Sequence, residues 1–254
     1  MRILAVGDVV AESGLERIKQ SLPKLKREKS IDLCIVNGEN SAGGRGITKD
    51  AYDIIMSYGA DIITMGNHTW DNYQVNQLLN DSNSIIRPAN YPEGVEGCGY
   101  AELDLGRESV CFINVLGRVG MEPLDCPFRA VDDILKKVQS KIIIVDFHAE
   151  ATSEKCAMGM YLDGRVSAVF GTHTHVMTAD DRVLPKGTGY ITDIGMTGVI
   201  NSVIGMKPET SLSRFLDKKP HKYEAAVGET MLNAVVFDIN SAGRCESIER
   251  IVIK

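Results

Sequence analysis

Eight polar side chains recur at one kind of place along the chain. Asp8 follows the apolar run I-L-A-V-G, Glu39 and Asn40 follow C-I-V-N-G, and Asn67 and His68 follow I-I-T-M-G. His148 follows I-I-I-V-D-F, and His173 and His175 follow A-V-F-G-T. Each run has the length and aliphatic content of a buried strand, so each group stands just past a strand's C-terminal end. In open parallel sheets that rim is where ligands bind. The chain has five histidines; four belong to this set, and His221 is the exception. A single histidine is more often a hydrogen-bonded structural residue than a ligand. Four at one rim, beside Asp and Glu, leave that explanation little room. Asn40 could serve as a turn residue, Asp8 as a helix cap and Asn67 as a loop former, but none of these roles explains the recurring offset. Gly7, Gly38, Gly66 and Gly171 precede the motifs and suit tight turns that bring backbone close to a site.

Imidazole, carboxylate and amide donors without thiolate select a first-row metal such as Fe, Mn or Zn. Asp8, Glu39, Asn40, Asn67, His148, His173 and His175 are too many donors for one ion with an open position. Two ions sharing a carboxylate fit better, with Glu39 as the bridge. Two metals roughly 3.5–4 Å apart can generate hydroxide and clamp both oxygens of an in-line phosphoryl displacement.

Positioning these groups falls to a regular alternation. Residues 2–6, 31–36 and 62–65 read as strands, and 12–29, 49–58 and 73–80 as helices, with Pro23 starting or interrupting the first. That order signals a parallel sheet covered by helices. Residues 85–99, with Pro88 and Pro92, read as loop. Strands are expected at 110–116, 141–147 and 166–170, and helices at 130–139 and 153–161. Residues 195–228 lack a long apolar run and read as an excursion with one helix near 209–216. The end reads as a hairpin turning at 240–243. The expectation is one domain, 1–254, with a small cap from 195–228.

A net charge of −6 argues against a general DNA-binding or membrane surface, which needs a basic face. A phosphate substrate stays open, because bound metal ions reverse the field inside a cleft. The six cysteines are scattered without a C-x-x-C pair. M-R-I-L-A-V-G-D enters a motif after too short an apolar stretch for a signal peptide, and no run reaches membrane-spanning length. A cytoplasmic protein is expected.

G-D, then G-E-N, then G-N-H, then a lone His after a buried strand, then H-T-H, from residue 8 to 175, resembles the calcineurin-like metallophosphoesterase superfamily. There are departures. The usual D-x-H is Asp8-Val9-Val10, the usual bridging aspartate is Glu39, and Thr69 replaces the usual acid after the histidine. With G-N-H-T-W-D-N and G-T-H-T-H, this set is similar to the YmdB-like branch. The resemblance implies an α/β fold, a four-layer αββα sandwich of two mixed β-sheets. It also implies phosphodiesterase activity, including towards 2′,3′-cyclic nucleotides, with iron or manganese bound.

Carried onto matching positions, the family roles put Asp8, Glu39, Asn40 and His175 on metal 1. Glu39, Asn67, His148 and His173 go on metal 2, and His68 is the general acid. Asn40 then takes the place left by Val10. Trp70 could stack a base or simply pack, and Asp71 could orient His68. Arg118 and Arg129 could contact phosphate, but salt bridges suit them better. The expected partner is a small nucleotide phosphodiester, with RNA ends as an extension and a homo-oligomer allowed. Competing readings are a phosphomonoesterase or nucleotidase, and a regulatory module that binds nucleotide or metal without turnover.

Overall fold

Side-chain alternation along the first strand already separates two cores. In β1 (Arg2–Val6), Leu4 and Val6 join an apolar cluster with the helices, while Ile3 and Ala5 join a second cluster on the other face. A strand buried on both sides needs cover on both, and the rest of the chain supplies it. The computed structural model describes residues 1–106 and 108–254.

The first part of the chain continues with β2 (Asp8–Val9), α1 (Ala11–Glu28), β3 (Leu33–Asn37), α2 (Lys49–Ser57), β4 (Ile62–Thr64), α3 (Gln74–Asp81) and β5 (Ile85–Ile86). Next come β6 (Tyr100–Asp104), β7 (Ser109–Leu116), α4 (Pro127–Leu135), β8 (Ile142–His148), α5 (Thr152–Leu162), β9 (Ala168–Thr172), β10 (Arg182–Val183) and β11 (Gly189–Ile191). The chain closes with β12 (Met196–Val199), α6 (Pro208–Asp217), β13 (Thr230–Ile239) and β14 (Cys245–Ile253).

Two mixed sheets result. One has the order β2-β12-β13-β1-β3-β4-β5, with β14 paired to β13; the other runs β10-β11-β9-β8-β7-β6. In the first, β1, β3, β4 and β5 are parallel and β13 lies antiparallel to β1. In the second, β7, β8, β9 and β11 are parallel, flanked by antiparallel β6 and β10.

Three apolar layers hold the four-layer αββα sandwich together. Leu15, Ile18 and Leu22 of α1, Ile55 of α2 and Leu78 of α3 pack on the outer face of the first sheet. Ile3, Ile35, Phe112, Ile144, Phe170 and Phe237 fill the space between the sheets. Val131 and Ile134 of α4, with Met158 and Leu162 of α5, cover the second sheet through Val145 and Phe147. Burying that much apolar surface is what fixes the sheets face to face.

Several expectations are corrected. Pro23 neither starts nor interrupts α1, which runs through it; the missing N–H removes one helical bond, and the buried Ile18–Leu22–Leu25 stripe holds the helix across the gap. The stretch 85–99 opens with β5, and β6 follows it unannounced because only Ala101 of that edge strand is buried. Residues 195–228 are not wholly an excursion, since β12 pairs parallel to β2 and antiparallel to β13. No helix among the described residues is long and apolar enough to cross a membrane.

Candidate active site

The first sheet delivers Asp8 in β2, Glu39 and Asn40 just past β3, and Asn67 just past β4. The second delivers His148 as the last residue of β8 and His173 and His175 just past β9. Carboxylates and amides thus come from one sheet and imidazoles from the other.

They meet at His148 Nε2, which is 2.9 Å from Glu39 Oε1, 3.0 Å from Asn67 Oδ1 and 3.1 Å from His173 Nδ1. One ring nitrogen cannot hydrogen-bond to all three at once. Glu39 Oε1 is buried and lacks a hydrogen-bond partner of good geometry even though the imidazole is close. Adjacent donors around an ion with bonds of about 2.1 Å stand roughly 3 Å apart, which matches the three distances from His148, and the ligand atoms of Glu39, His148 and His173 all lie within 4.8 Å of one another. The donor set fits a first-row metal ion. Gly66 makes the approach possible, since a Cβ there would lie 2.4 Å from Glu39 Oε2 and 2.5 Å from His148 Nε2.

Asp8, Asn40 and His175 form a second group. Asn40 Nδ2 is 3.0 Å from His175 Nε2 and 3.4 Å from Asp8 Oδ1, and His175 Nε2 is 3.7 Å from Asp8 Oδ1. His175 Nδ1 donates to the Ile204 carbonyl at 2.8 Å, which turns the lone pair of Nε2 towards Asp8 and Asn40. Asn40 can accept or ligate here only after a half-turn of its amide exchanges Nδ2 for Oδ1. Val10 lies in an apolar cluster with Ala11 and Met196 and offers no donor. The groups are joined through Asp8, whose Oδ2 accepts from His173 N at 3.3 Å. Among the described residues, the hydrogen bonds and ion pairs of Glu39 run to Asn37, His148 and His68, and none reaches Asp8, Asn40 or His175.

Electrostatics follow from burial. Burial raises the Glu39 carboxyl, but the neighbouring His148 charge, helped by the His68 backbone N–H, outweighs it and brings the group down to about 2. Burial lowers the His148 imidazole, but Glu39, Asp8 and Asp146 raise it to about 9. His173 is pushed down to about 3 by burial and by the neighbouring His148. Metal binding would displace the His148 proton.

Sequence reasoning missed Asp146, a fully buried carboxylate inside I-I-I-V-D-F-H; an acid in such a run was the available signal. Its oxygens accept from Thr64 Oγ1 at 2.5 Å and Thr172 Oγ1 at 2.7 Å. Thr172 Oγ1 in turn lies 2.8 Å from His148 Nδ1, so this chain orients the imidazole. Burial raises Asp146 to about 6, against the opposing pull of His148.

His68 stands apart from the donor groups. Its backbone N–H donates to Glu39 Oε2 at 2.8 Å, and its Nδ1 lies 2.8 Å from Asp71 Oδ2. A one-turn helix, Thr69–Asp71, sets that second contact. Arg45 was also missed. Its Nε lies 2.9 Å from Asp71 Oδ2 and 3.3 Å from His68 Nδ1. The loop carrying Arg45 folds through Gly43, Gly44 and Gly46, all at positive φ. Trp70 packs on the first core and meets Tyr91 edge-on at 5.6 Å, which is a packing role. Arg118 reaches Cys126 Sγ instead of any site residue. The six cysteines are free thiols.

Two mixed sheets packed face to face, with helices outside and metal-capable side chains gathered at strand ends, define the metallophosphoesterase class of fold. A 5′-nucleotidase precursor from Thermus thermophilus shares that fold, with a TM-score of 0.58 at 13% identity over 100% of this chain and 54% of its own. The YmdB-like protein family matches residues 4–251. A Bacillus subtilis (strain 168) protein named 2′,3′-cyclic-nucleotide 2′-phosphodiesterase is 46% identical over 100% of this chain and 97% of its own. The crystal structure of a Mycoplasma pneumoniae protein titled a novel phosphatase superposes with a TM-score of 0.95 at 35% identity, over 100% of this chain and 93% of its own. The chain belongs to the YmdB-like family, and its class is that of the phosphoester hydrolases.

Proposed function

We propose that the protein is a dinuclear metal-dependent phosphodiesterase acting on small nucleotide phosphodiesters such as 2′,3′-cyclic nucleotides. The observation that carries this reading is the convergence of Glu39, Asn67 and His173 on His148 Nε2 at about the donor spacing of a metal shell. Glu39, Asn67, His148 and His173 would hold one ion and Asp8, Asn40 and His175 the other, with Glu39 reaching across. Iron or manganese suits this oxygen- and nitrogen-rich set. When bound, the ions supply Lewis acidity to the phosphoryl oxygens and lower the pKa of water.

His68 supplies the proton. Asp71 holds Nδ1, which leaves Nε2 for the substrate side. As the water oxygen bonds to phosphorus and the P–O bond to the ribose breaks, Nε2–H donates to the departing ribose oxygen, and the proton released by the water returns to the imidazole through solvent. Asp71 fixes the orientation of the ring, and Arg45, sharing Asp71, adds positive charge where an anionic substrate arrives. The name of the Bacillus subtilis relative supports a cyclic phosphodiester as substrate. We read 1–254 as a single unit of a cytoplasmic enzyme, with the segment after β12 lying over the Asp8–His175 side.

The test compares wild type with His68→Ala on 2′,3′-cAMP and on bis-p-nitrophenyl phosphate, with Mn²⁺ added. A general acid is worth typically 10²–10⁴-fold, and p-nitrophenolate hardly needs the proton. The expected result is the full loss on the cyclic nucleotide, a much smaller loss on the nitrophenyl ester, and unchanged Mn²⁺ content. Equal losses on both substrates, or loss of metal, would remove His68 from this role. A wild type faster on p-nitrophenyl phosphate than on either diester would favour the monoesterase reading.

A further inference from the structure

A charged pair lies under the histidine loop, where neither ligand nor substrate would touch it. Lys155 of α5 and Asp193, between β11 and β12, are almost wholly buried, with Nζ 2.6 Å from Oδ2. Taking two charges out of water costs more than their attraction usually returns, so such a pair is poor evidence of added stability. Its remaining hydrogen bonds show what it holds. Lys155 Nζ donates to the Thr172 carbonyl at 2.8 Å. Asp193 Oδ2 accepts from Thr174 N at 3.2 Å, and Oδ1 accepts from Gly195 N at 2.8 Å.

Those three backbone points bracket the ligands. Thr172 and Thr174 flank His173, and Thr174 precedes His175. The Gly195 carbonyl accepts from Asp8 N at 3.1 Å, so Asp193 reaches the Asp8 backbone through a single residue. Both histidines sit in strained backbone, at φ 99° for His173 and 64° for His175. Non-glycine residues with such angles persist only where surrounding contacts over-determine them. Bonds on either side of His173, from groups that cannot move to solvent, are that constraint.

We propose that Lys155 and Asp193 are positioning residues that hold Asp8, His173 and His175 in ligating geometry and so set the protein's metal affinity. This rests on the dinuclear reading above. An apolar pair of similar volume would fill the same space but leave the Thr172 carbonyl and the Thr174 and Gly195 N–H groups without these partners, freeing the loop to relax.

The test measures Mn²⁺ binding by calorimetry at 25 °C to protein first stripped by chelator, for wild type, Lys155→Met, Asp193→Asn and the double variant. Leu25→Ala, in the outer core, serves as a control that lowers Tm without touching the loop. Lys155→Arg stands in if Lys155→Met does not fold. Loss of a partner that orients ligands weakens metal binding by roughly 10–100-fold. The expected result is that at least one of two Mn²⁺ ions weakens by about that factor in each pair variant while Leu25→Ala binds as wild type. Wild-type affinity in the pair variants, or equal weakening in Leu25→Ala, overturns the inference and leaves the dinuclear reading intact. A wild type that binds no Mn²⁺ overturns both.

Discussion

Gly66→Ala isolates the closeness of the donor atoms from their identity. Gly66 is not among the glycines at positive φ, so its backbone accepts alanine without strain. The added methyl would lie 2.4 Å from Glu39 Oε2 and 2.5 Å from both Nε2 and Cδ2 of His148. Those separations fall about 1 Å short of ordinary van der Waals contact. Neither neighbour can retreat into solvent, because Glu39 and His148 are fully buried. One or both donors must therefore shift by about that distance. A misplacement of 1 Å near reacting groups costs on the order of 10²-fold in rate, and here it also spreads the metal shell. Turnover of 2′,3′-cAMP at saturating Mn²⁺, with metal content by elemental analysis, should show a loss of about that size. Wild-type rate and occupancy in a folded Gly66→Ala protein would refute the assignment of Glu39 and His148 as neighbouring ligands.

Two further outcomes are expected. Asn40→Ala should raise the Mn²⁺ concentration needed for half-maximal rate, with activity recovered at excess Mn²⁺, because Val10 offers no alternative donor; a wild-type Mn²⁺ titration would make Asn40 a turn residue. The second concerns pH. His148 rises from an ordinary 6.5 to about 9, so in metal-free protein its stabilising contribution is complete below 6.5 and is lost as pH rises through 9. Glu39, lowered to about 2, contributes above 4.5 and loses that contribution as pH falls through 2. Metal needs the neutral imidazole. Between pH 6.5 and 9 the metal-free Tm should therefore fall while Mn²⁺ affinity rises, and an affinity flat across that interval would contradict the His148 assignment.

The gathering of these candidate donors at one rim was legible because each stands at or just past the end of a strand whose aliphatic run is unmistakable, as with Ile142–His148. Glycines before the motifs reinforced the reading, and Gly66 and Gly171 do stand where a Cβ would collide. The αββα layering came from the family resemblance; periodicity alone predicted only a parallel sheet with helices. What stayed illegible depends on contacts between segments far apart in the chain. Arg45 looks like one more basic residue in a glycine-rich loop until the fold sets it against Asp71. Lys155 sits on a helix whose apolar periodicity is weak, and nothing local announces that it is buried against Asp193. Edge strand β6 was missed for a related reason, since four of its five residues are not buried and leave no apolar run to read.

The division of donors between sheets has a thermodynamic consequence. Asp8, Glu39, Asn40 and Asn67 belong to one sheet, and His148, His173 and His175 to the other, so each ion would be held from both. Without metal, the polar joints at this rim among the described residues are hydrogen bonds and carboxylate–imidazole contacts between the layers, of Glu39 and Asp8 with His148 and of Asp8 with His175; the apolar cluster between the sheets does the rest. An ion bound by both sheets must stabilise their packed arrangement over the unfolded chain, where the ligands are scattered. At a free concentration of 100 Kd that linkage is worth about 2.7 kcal/mol per site. For a chain of this size, 1 kcal/mol moves Tm by roughly 2–4 °C, so one occupied site should raise Tm by about 5–10 °C. Thermal scans in EDTA and in excess Mn²⁺ would measure the rise, and His173→Ala should abolish much of it because it removes a donor contributed across the interface. If Mn²⁺ leaves the wild-type Tm unchanged while calorimetry shows it bound to the folded protein, the unfolded chain binds it equally well, and the reading that folding assembles the site from scattered ligands is wrong.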